Sequence, residues 1–388
     1  MEPGDSRRPA DAGAGARDGV AGGAGADVPV DEVRVVFGAA ADRGWTAVPL
    51  AHEAVASATT GLWRVRCGGR SAVLKLLALR PGGHERWRAG AAVDHWYHWR
   101  REAEAYRSGL LDSLGGGLRA PACHLVADRP DGSVALWLED VAGAPAPTWP
   151  LDRYRTAARH LGAAQGAFAA GRPLPDDPWL SRGWLRAYLR QRDHDLALLG
   201  DAAAWRHPEV ARWLPGVDPA EVAAVRADQG RFLDALEAVP RTVAHLDLHP
   251  ANLFADGAGA TVTVDWAFVG IAALGEDAGN LVPDAVLDFH VPAASLGDLH
   301  EAVAAGYTDG LRAAGWDGPP ALVRLAMAAV VAAKYGWIAG SLLRVVTEDR
   351  PQLNRRPTGD ALAWWAPTVG YVVERAAEAR RLAAALGP

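Results

Sequence analysis

The first third of the chain contains short apolar stretches separated by polar turns. Residues 62–67 and 71–77 flank a Gly-Gly pair, and such a pair between two apolar stretches is typical of a β-hairpin. Residues 124–127 and 134–138 flank an Arg-Pro-Asp-Gly sequence, which favours a turn of the same kind. The pattern predicts a small lobe rich in β-strands.

Helical periodicity dominates the rest of the chain. In the segment 85–111, apolar residues recur every three or four positions, which predicts a helix with one apolar face. A Pro/Ala-rich connector at 143–150 precedes helical patterns at 151–170, 184–199, 219–236, 299–314, 320–346 and 359–386, the last with Pro367 as an expected kink or break. A strand-rich segment, 242–269, interrupts them. This order predicts an α+β fold with a small β-rich lobe and a larger helical lobe.

Composition narrows the class of protein. The 388 residues are half hydrophobic and carry a net charge of −6, which disfavours a nucleic-acid partner. The longest apolar run, 322–338, is interrupted by Arg324 and Lys334, so no membrane partner is expected. The two cysteines, Cys67 and Cys123, are expected to be reduced thiols in a cytoplasmic protein, although one disulfide remains an alternative.

The domain organisation follows from the same patterns. Residues 1–28 are rich in glycine and alanine and are expected to form a disordered tail. Residues 29–141 are expected to form the β-rich lobe, and residues 142–388 the helical lobe.

The strongest chemical signal is the sequence His-Leu-Asp-Leu-His-Pro-Ala-Asn at 245–252. Pro250 prevents a helix there, so the segment is predicted to be a loop that presents Asp247 and Asn252. A short hairpin follows and ends at Asp265. Two carboxylates and an amide suit Mg²⁺, and phosphoryl transfer needs such a set. A zinc site at His245 and His249 is disfavoured because the Glu of a His-Glu-x-x-His helix is missing.

These residues resemble the signature of the aminoglycoside phosphotransferase and choline kinase-like family, His-x-Asp-x-x-x-x-Asn followed by Asp-Trp. The resemblance implies a two-lobed protein-kinase-like fold and a small-molecule kinase. Asp247 would then be the catalytic base, and Asn252 and Asp265 would be Mg²⁺ ligands. The phosphate donor would be ATP or GTP, and the acceptor a hydroxyl of a sugar-like or amine-bearing molecule.

The resemblance also implies nucleotide-binding residues in the β-rich lobe. Lys75, in Val-Leu-Lys-Leu-Leu, is similar to the phosphate-binding lysine of kinases. Its acidic partner is expected to be Glu102, which borders the apolar helix face, and Glu104 is the alternative. The remaining candidates are Ser57, Thr59 and Thr60 for the phosphates, and Glu139 and Val141, through their backbones, for the adenine.

Two questions stay open at this stage. A protein kinase is disfavoured because Asp-Trp replaces Asp-Phe-Gly and no Ala-Pro-Glu follows, and a catalytically silent nucleotide-binding or scaffold protein is the other alternative.

The acids Glu276, Asp277, Asp284 and Asp288 either bind substrate ammonium groups or form a solvated acidic face. The sixteen tryptophans are expected to be mainly core residues.

Overall fold

The alternating sequence between residues 59 and 77 folds into a long hairpin of β2 (Thr59–Cys67) and β3 (Arg70–Leu77). Gly68 and Gly69 form its turn with φ angles of 56° and 77°, a region that residues with a Cβ seldom adopt. The computed structural model describes residues 28–51, 58–80, 87–191 and 193–387. The expected tail therefore lies outside the described residues except for Val28, which is buried.

Three more strands extend this hairpin into an antiparallel sheet. They are β1 (Thr46–Pro49), β5 (Cys123–Asp128) and β6 (Val134–Glu139), and the strand order is β1-β2-β3-β6-β5. The sheet packs on α1 (Val30–Phe37), where Glu32 binds Arg129 and accepts the indole N–H of Trp137 at 2.8 Å. The sequence patterns did not indicate α1.

The helix expected at 85–111 is much shorter in the structure. Only α2 (Arg101–Arg107) is α-helical, and residues 81–86 lie outside the described part. Upstream of α2 the chain folds back on itself, because Gly90 accepts the N–H of Trp99 and donates to Tyr97. The apolar periodicity was correct for Ala103 and Tyr106, which are buried against the sheet.

The helical lobe contains the remaining α-helices and is built around α3, α10 and α11. Their bounds are α3 (Leu151–Ala169), α4 (Trp184–Arg190), α5 (Ala202–Trp205), α6 (Pro208–Trp213), α7 (Pro219–Ala227), α8 (Gln229–Glu237), α9 (Glu276–Leu287), α10 (Leu296–Ala313), α11 (Pro320–Tyr335), α12 (Trp337–Thr347) and α13 (Thr358–Leu386). The predicted order of a small β-rich lobe and a larger helical lobe is confirmed.

Several helix boundaries differ from the prediction. The pattern at 219–236 divides into α7 and α8 at Asp228, and the pattern at 320–346 divides into α11 and α12 at Gly336. Conversely, α13 continues through Pro367, where a break was an expected possibility. The stretch 320–347 is long and apolar enough to cross a membrane, but 78% of its most apolar window is buried in the structure. This stretch is therefore part of the core of the helical lobe.

Further short strands lie outside the five-stranded sheet. They are β4 (Leu118–Arg119), β7 (Gly143–Pro145), β8 (Arg241–Ala244), β9 (Leu253–Asp256), β10 (Thr261–Thr263), β11 (Gly270–Ala273), β12 (Gln352–Leu353) and β13 (Arg356–Pro357). A four-stranded sheet has the order β4-β10-β9-β7, and β8 pairs with β11. The loop 245–252 lies between β8 and β9, so both of its ends are held by strands. Cys67 and Cys123 are free thiols.

Candidate active site

A cleft of about 1140 Å³ lies between the two lobes. Its walls combine the antiparallel sheet, the loop 245–252 and helices α4, α9, α11 and α12. The predicted site residues that line it are Thr59, Lys75, Glu102, Glu139, Val141, Asp247, Asn252 and Asp265. Residues from distant parts of the sequence are thus brought to one cavity.

The path of the loop is held by Asp277, which is fully buried at the start of α9. Its carboxylate accepts the backbone N–H groups of His245 and Leu246, each at 2.8 Å. Leu246 has a φ of 68°, and a side-chain-bearing residue in this region costs about 1–3 kcal/mol. Hydrogen bonds to a charged group can offset that cost, so the loop conformation depends on Asp277.

A buried network fixes Asp277 in turn. Gln165 of α3 donates its amide N–H to Asp277 at 2.8 Å, and the hydroxyl of Tyr307 on α10 donates to the Gln165 amide oxygen at 2.5 Å. Helices α3 and α10 approach closely at Gly162, where a Cβ would collide with the carbonyl oxygen of Tyr307. The glycine contact therefore permits the helix spacing that this network requires.

Asp247 lies half-buried in the loop and lines the cleft. Its own N–H donates to His245 Nδ1 at 3.3 Å, and the Asn252 side-chain amide donates to its carbonyl at 3.0 Å. The other ring nitrogen of His245 bonds to the Val264 carbonyl at 2.9 Å, and the ring packs against Trp266. His245 thus braces the loop, which leaves the Asp247 carboxylate as the group presented to the cleft.

Lys75 lies between two carboxylates. Its Nζ is 2.6 Å from Glu102 Oε2 and 2.8 Å from Asp265 Oδ1. Burial by itself would lower the pKa of Lys75, but the charges of Asp265 and Glu102 raise it, so the side chain stays a cation. Glu104 instead pairs with two neighbouring arginines. Of the two candidate partners, Glu102 is therefore the one that meets Lys75.

Asp265 and Asn252 supply oxygen atoms on the same side of the cleft. Burial by itself would raise the pKa of Asp265, yet the charge and hydrogen bond of Lys75 lower it. The Asp265 side chain is 43% exposed, so Lys75 binds one of its oxygens while the carboxylate still faces the cleft. An ionised carboxylate and a side-chain amide oxygen are the kind of ligands that a hard cation such as Mg²⁺ prefers.

Residues at the end of β6 also line the cleft. The Glu139 carboxylate is bound by Arg119 through two contacts of 2.6 and 2.9 Å and also accepts the N–H of Ala122. Because this side chain is held within the β-rich lobe, any ligand contact here falls to backbone atoms of residues 139–141. The roles of Glu139 and Val141 remain predictions about those atoms.

The phosphate-loop candidates have different positions. Thr59 lines the cleft, whereas the Thr60 hydroxyl donates to the carbonyl of Leu76 at 3.2 Å. A β-bulge at this point shifts the register between β2 and β3. The phosphate-binding roles of Thr59 and Thr60 stay predictions. Ser57 lies outside the described residues.

The four acids that were candidates for binding ammonium groups lie in different surroundings and do not form one group. Glu276 and Asp277 are buried, the first accepting the N–H of Ala273 and the second holding the loop. Only Asp284 and Asp288 line the cleft. Each has a cationic partner there: Lys334 Nζ is 3.4 Å from Asp284, and His249 Nδ1 is 3.3 Å from Asp288.

The sequence patterns did not indicate a role for some of these site residues. Gln165 and Tyr307 carry no local signal for their role, because their contacts depend on how α3 and α10 pack. Lys334 was noted only as an interruption in an apolar run, although a lysine inside a buried helix needs a partner. That interruption was the one available signal for Lys334.

Comparison with known proteins agrees with this architecture. The sequence matches no protein-family model and no curated protein. Among solved structures, an aminoglycoside phosphotransferase from Alicyclobacillus acidocaldarius is similar over 87% of this chain and 97% of its own, at 16% identity and a TM-score of 0.51. The amicoumacin kinase hAmiN, in complex with AMP-PNP, Ca²⁺ and Ami, is similar over 85% of this chain and 88% of its own, at 14% identity and a TM-score of 0.50.

At these identities the similarity defines the fold. The chain has the two-lobed, protein-kinase-like fold of the aminoglycoside phosphotransferases, as the sequence resemblance implied.

Proposed function

We propose that the protein is a small-molecule kinase that transfers the γ-phosphate of ATP or GTP to a hydroxyl of a sugar-like or amine-bearing acceptor. The observation that carries the proposal is the cleft itself, in which Asp247, Asn252 and Asp265 face the Lys75–Glu102 pair. A base, two oxygen ligands and a cation held by carboxylates are the parts that phosphoryl transfer requires.

In this proposal Asp247 accepts the proton of the acceptor hydroxyl as its oxygen attacks the γ-phosphorus. The bond between the γ-phosphorus and the bridging oxygen breaks, and the nucleoside diphosphate leaves. Lys75, held as a cation by Glu102, orients the nucleotide phosphates. Asn252 and Asp265 would hold Mg²⁺, which neutralises phosphate charge when bound.

The experiment is a nucleoside-diphosphate release assay with a library of aminoglycosides, amino sugars, neutral sugars, choline-like alcohols and nucleosides. For the acceptor found, Asp247→Asn is expected to lower kcat by about 10²-fold or more, the usual contribution of a general base. The affinity for AMP-PNP should remain within about twofold, because Asp247 acts on the hydroxyl. Asp265→Asn should instead weaken Mg²⁺-dependent AMP-PNP binding.

A matched control is Asp309→Asn, which removes an exposed carboxylate of α10 that pairs with Arg155. It should leave both measurements unchanged. Full turnover by Asp247→Asn would remove Asp247 from the mechanism. Absence of nucleotide binding by the unaltered chain would contradict the kinase and the silent nucleotide-binding alternative together, whereas binding without turnover on any acceptor would favour the silent protein.

A further inference from the structure

Lysine is almost absent from this protein. Of its 40 basic residues, only Lys75 and Lys334 are lysines, and all the others are arginines. Both lysines are buried, and both line the cleft. Lys75 has a role in the proposed phosphate transfer, but Lys334, on the opposite wall, has none.

The surroundings of Lys334 are built for a small cation. Its Nζ lies 5.4, 5.7 and 5.0 Å from the ring centres of Trp184, Tyr188 and Tyr335, and 3.4 Å from Asp284. Aromatic faces attract a cation, so the three rings help to hold the buried ammonium. Burial by itself would lower the pKa of Lys334, but the charge of Asp284 raises it.

An ammonium carries three N–H donors. Among the described residues, the one hydrogen bond found for Lys334 is the long contact with Asp284. Because Lys334 also lines the cleft, its remaining donors are available to a molecule bound there. Such a molecule must offer oxygen atoms, since an ammonium accepts no hydrogen bond.

The charges around Lys334 disfavour a polyamine. Asp284 and Asp288 already face Lys334 and His249, so a substrate ammonium would have to displace these basic groups. Two arginines, Arg344 and Arg350, also line this half of the cleft.

The remaining lining of this half is mostly apolar, with Ser341, Gln352 and Asn354 as its polar members. Phe268, Leu287, Leu353 and Trp365 face the cleft, and the Trp365 indole N–H is already donated to the Leu287 carbonyl at 2.9 Å. These surfaces suit the face of a planar or apolar ring. The same wall offers little to a fully hydrated polycation.

We propose that the acceptor is a hydroxyl compound that carries a flat apolar ring and no ammonium group, and that Lys334 selects it by donating a hydrogen bond to one of its oxygens. This inference rests on the proposed kinase function and chooses between its two acceptor classes. Asp284 is then the residue that positions Lys334, and its carboxylate does not bind a substrate amine.

The test uses three probes that share an aromatic ring and a sugar and differ in charge: para-nitrophenyl glucoside, glucuronide and glucosaminide. Their affinities for the full chain loaded with Mg²⁺ and AMP-PNP are measured by calorimetry. The expected order is glucuronide, then glucoside, then glucosaminide. A preference for the glucosaminide, equal affinities, or binding of none of the three would overturn the proposal.

Two variants separate recognition from folding. Lys334→Gln should weaken glucuronide binding by about tenfold or more, the usual effect of losing a charged hydrogen bond, while the glucosaminide gains. Asp284→Asn should act in the opposite direction and strengthen glucuronide binding by about threefold, because Lys334 loses its competing partner. If Lys334 and Asp284 had only a structural role, both variants would change the affinity for the glucuronide in the same direction.

Arg212→Gln is the control, since it removes one positive charge from an exposed side chain of α6 that pairs with Glu209. It should leave the probe order and affinities unchanged. AMP-PNP binding in the absence of probes is measured for every variant. Normal nucleotide binding with the wrong probe order would contradict only the acceptor proposal, whereas loss of nucleotide binding by the unaltered chain would contradict the kinase function.

Discussion

Each half of the cleft contains one buried lysine, and the two lysines have different surroundings. In the half proposed to bind the nucleotide (the nucleotide half), Lys75 lies within 2.8 Å of two carboxylates, and one of them, Asp265, still faces the cleft. In the half proposed to bind the acceptor (the acceptor half), Lys334 has one carboxylate at 3.4 Å and three aromatic rings. Two strong ion pairs fix a cation in place, whereas one long contact leaves donors for a ligand. The surroundings of Lys75 suit the nucleotide, which would be the same in every reaction. The surroundings of Lys334 suit the recognition of one particular acceptor.

The halves also differ in how they are assembled. Lys75 is on β3, the central strand of the sheet, where it pairs with Leu62 of β2 and Leu136 of β6. The acceptor half takes its side chains from α4, α9, α11 and α12, whose relative positions depend on helix packing. We therefore expect substitutions in the nucleotide half to have the larger and more general effects.

The largest effect is expected for Lys75→Met. The nucleotide phosphates lose an oriented cation, so kcat/KM should fall by about 10²-fold or more. Glu102 is only 2% exposed and would be left without its ion pair, so the free energy of unfolding should also fall by about 3–5 kcal/mol. Steady-state kinetics and denaturant unfolding measure the two quantities.

If Lys334→Met reduces AMP-PNP affinity as much as Lys75→Met does, the two lysines serve the same substrate and the proposed division of the cleft is wrong.

Glu104→Gln is the matched control for Glu102→Gln. The first removes an acid that pairs with surface arginines and should change kinetics little, and the second should raise the nucleotide KM.

A smaller effect is expected for Asp277→Asn, which acts on the neighbouring Asp247 through the backbone of the loop. The amide replaces one hydrogen-bond acceptor by a donor facing a backbone N–H, so Leu246 loses the support for its left-handed conformation. We expect kcat to fall about tenfold and the free energy of unfolding by about 1–3 kcal/mol, with AMP-PNP affinity nearly unchanged.

Glu276→Gln is the neighbouring control for Asp277→Asn, since Glu276 is also buried but accepts only a longer bond, 3.3 Å, from Ala273 among the described backbone groups. Its kcat should stay close to that of the unaltered chain. If both variants lose the same activity, general destabilisation of α9 explains the result and the loop-holding role of Asp277 is wrong.

The smallest effect concerns pH and the pair of His249 and Asp288. The pKa of His249 is raised to about 9, so the stabilisation from the pair is complete below the ordinary histidine pKa of about 6.5 and is lost as pH rises through about 9. The Tm difference between the unaltered chain and Asp288→Asn should shrink between about pH 7 and about pH 10. A difference that stays constant over this range would show that His249 is neutral in the folded protein.

The sequence by itself determined the main strands of the β-rich lobe and the position of the loop 245–252 between two strands. Strand alternation and turn residues act over a few positions, so β2, β3, β5 and β6 were predicted nearly to their ends. The choice of Glu102 over Glu104 followed from helical periodicity around one short helix and agrees with the observed ion pair. The motif at 245–265 has its residues close together in sequence, so its grouping needed only local reasoning.

Tertiary structure alone decided the function of the acids in α9 and of Lys334. Asp277, Asp284 and Asp288 share a helix face by spacing, but Asp277 meets backbone N–H groups of the loop while Asp284 and Asp288 meet cations. Those partners come from the loop 245–252 and from α11. Sequence periodicity gives the direction of a side chain from its own helix, and the charge it meets there depends on which other element packs against that face.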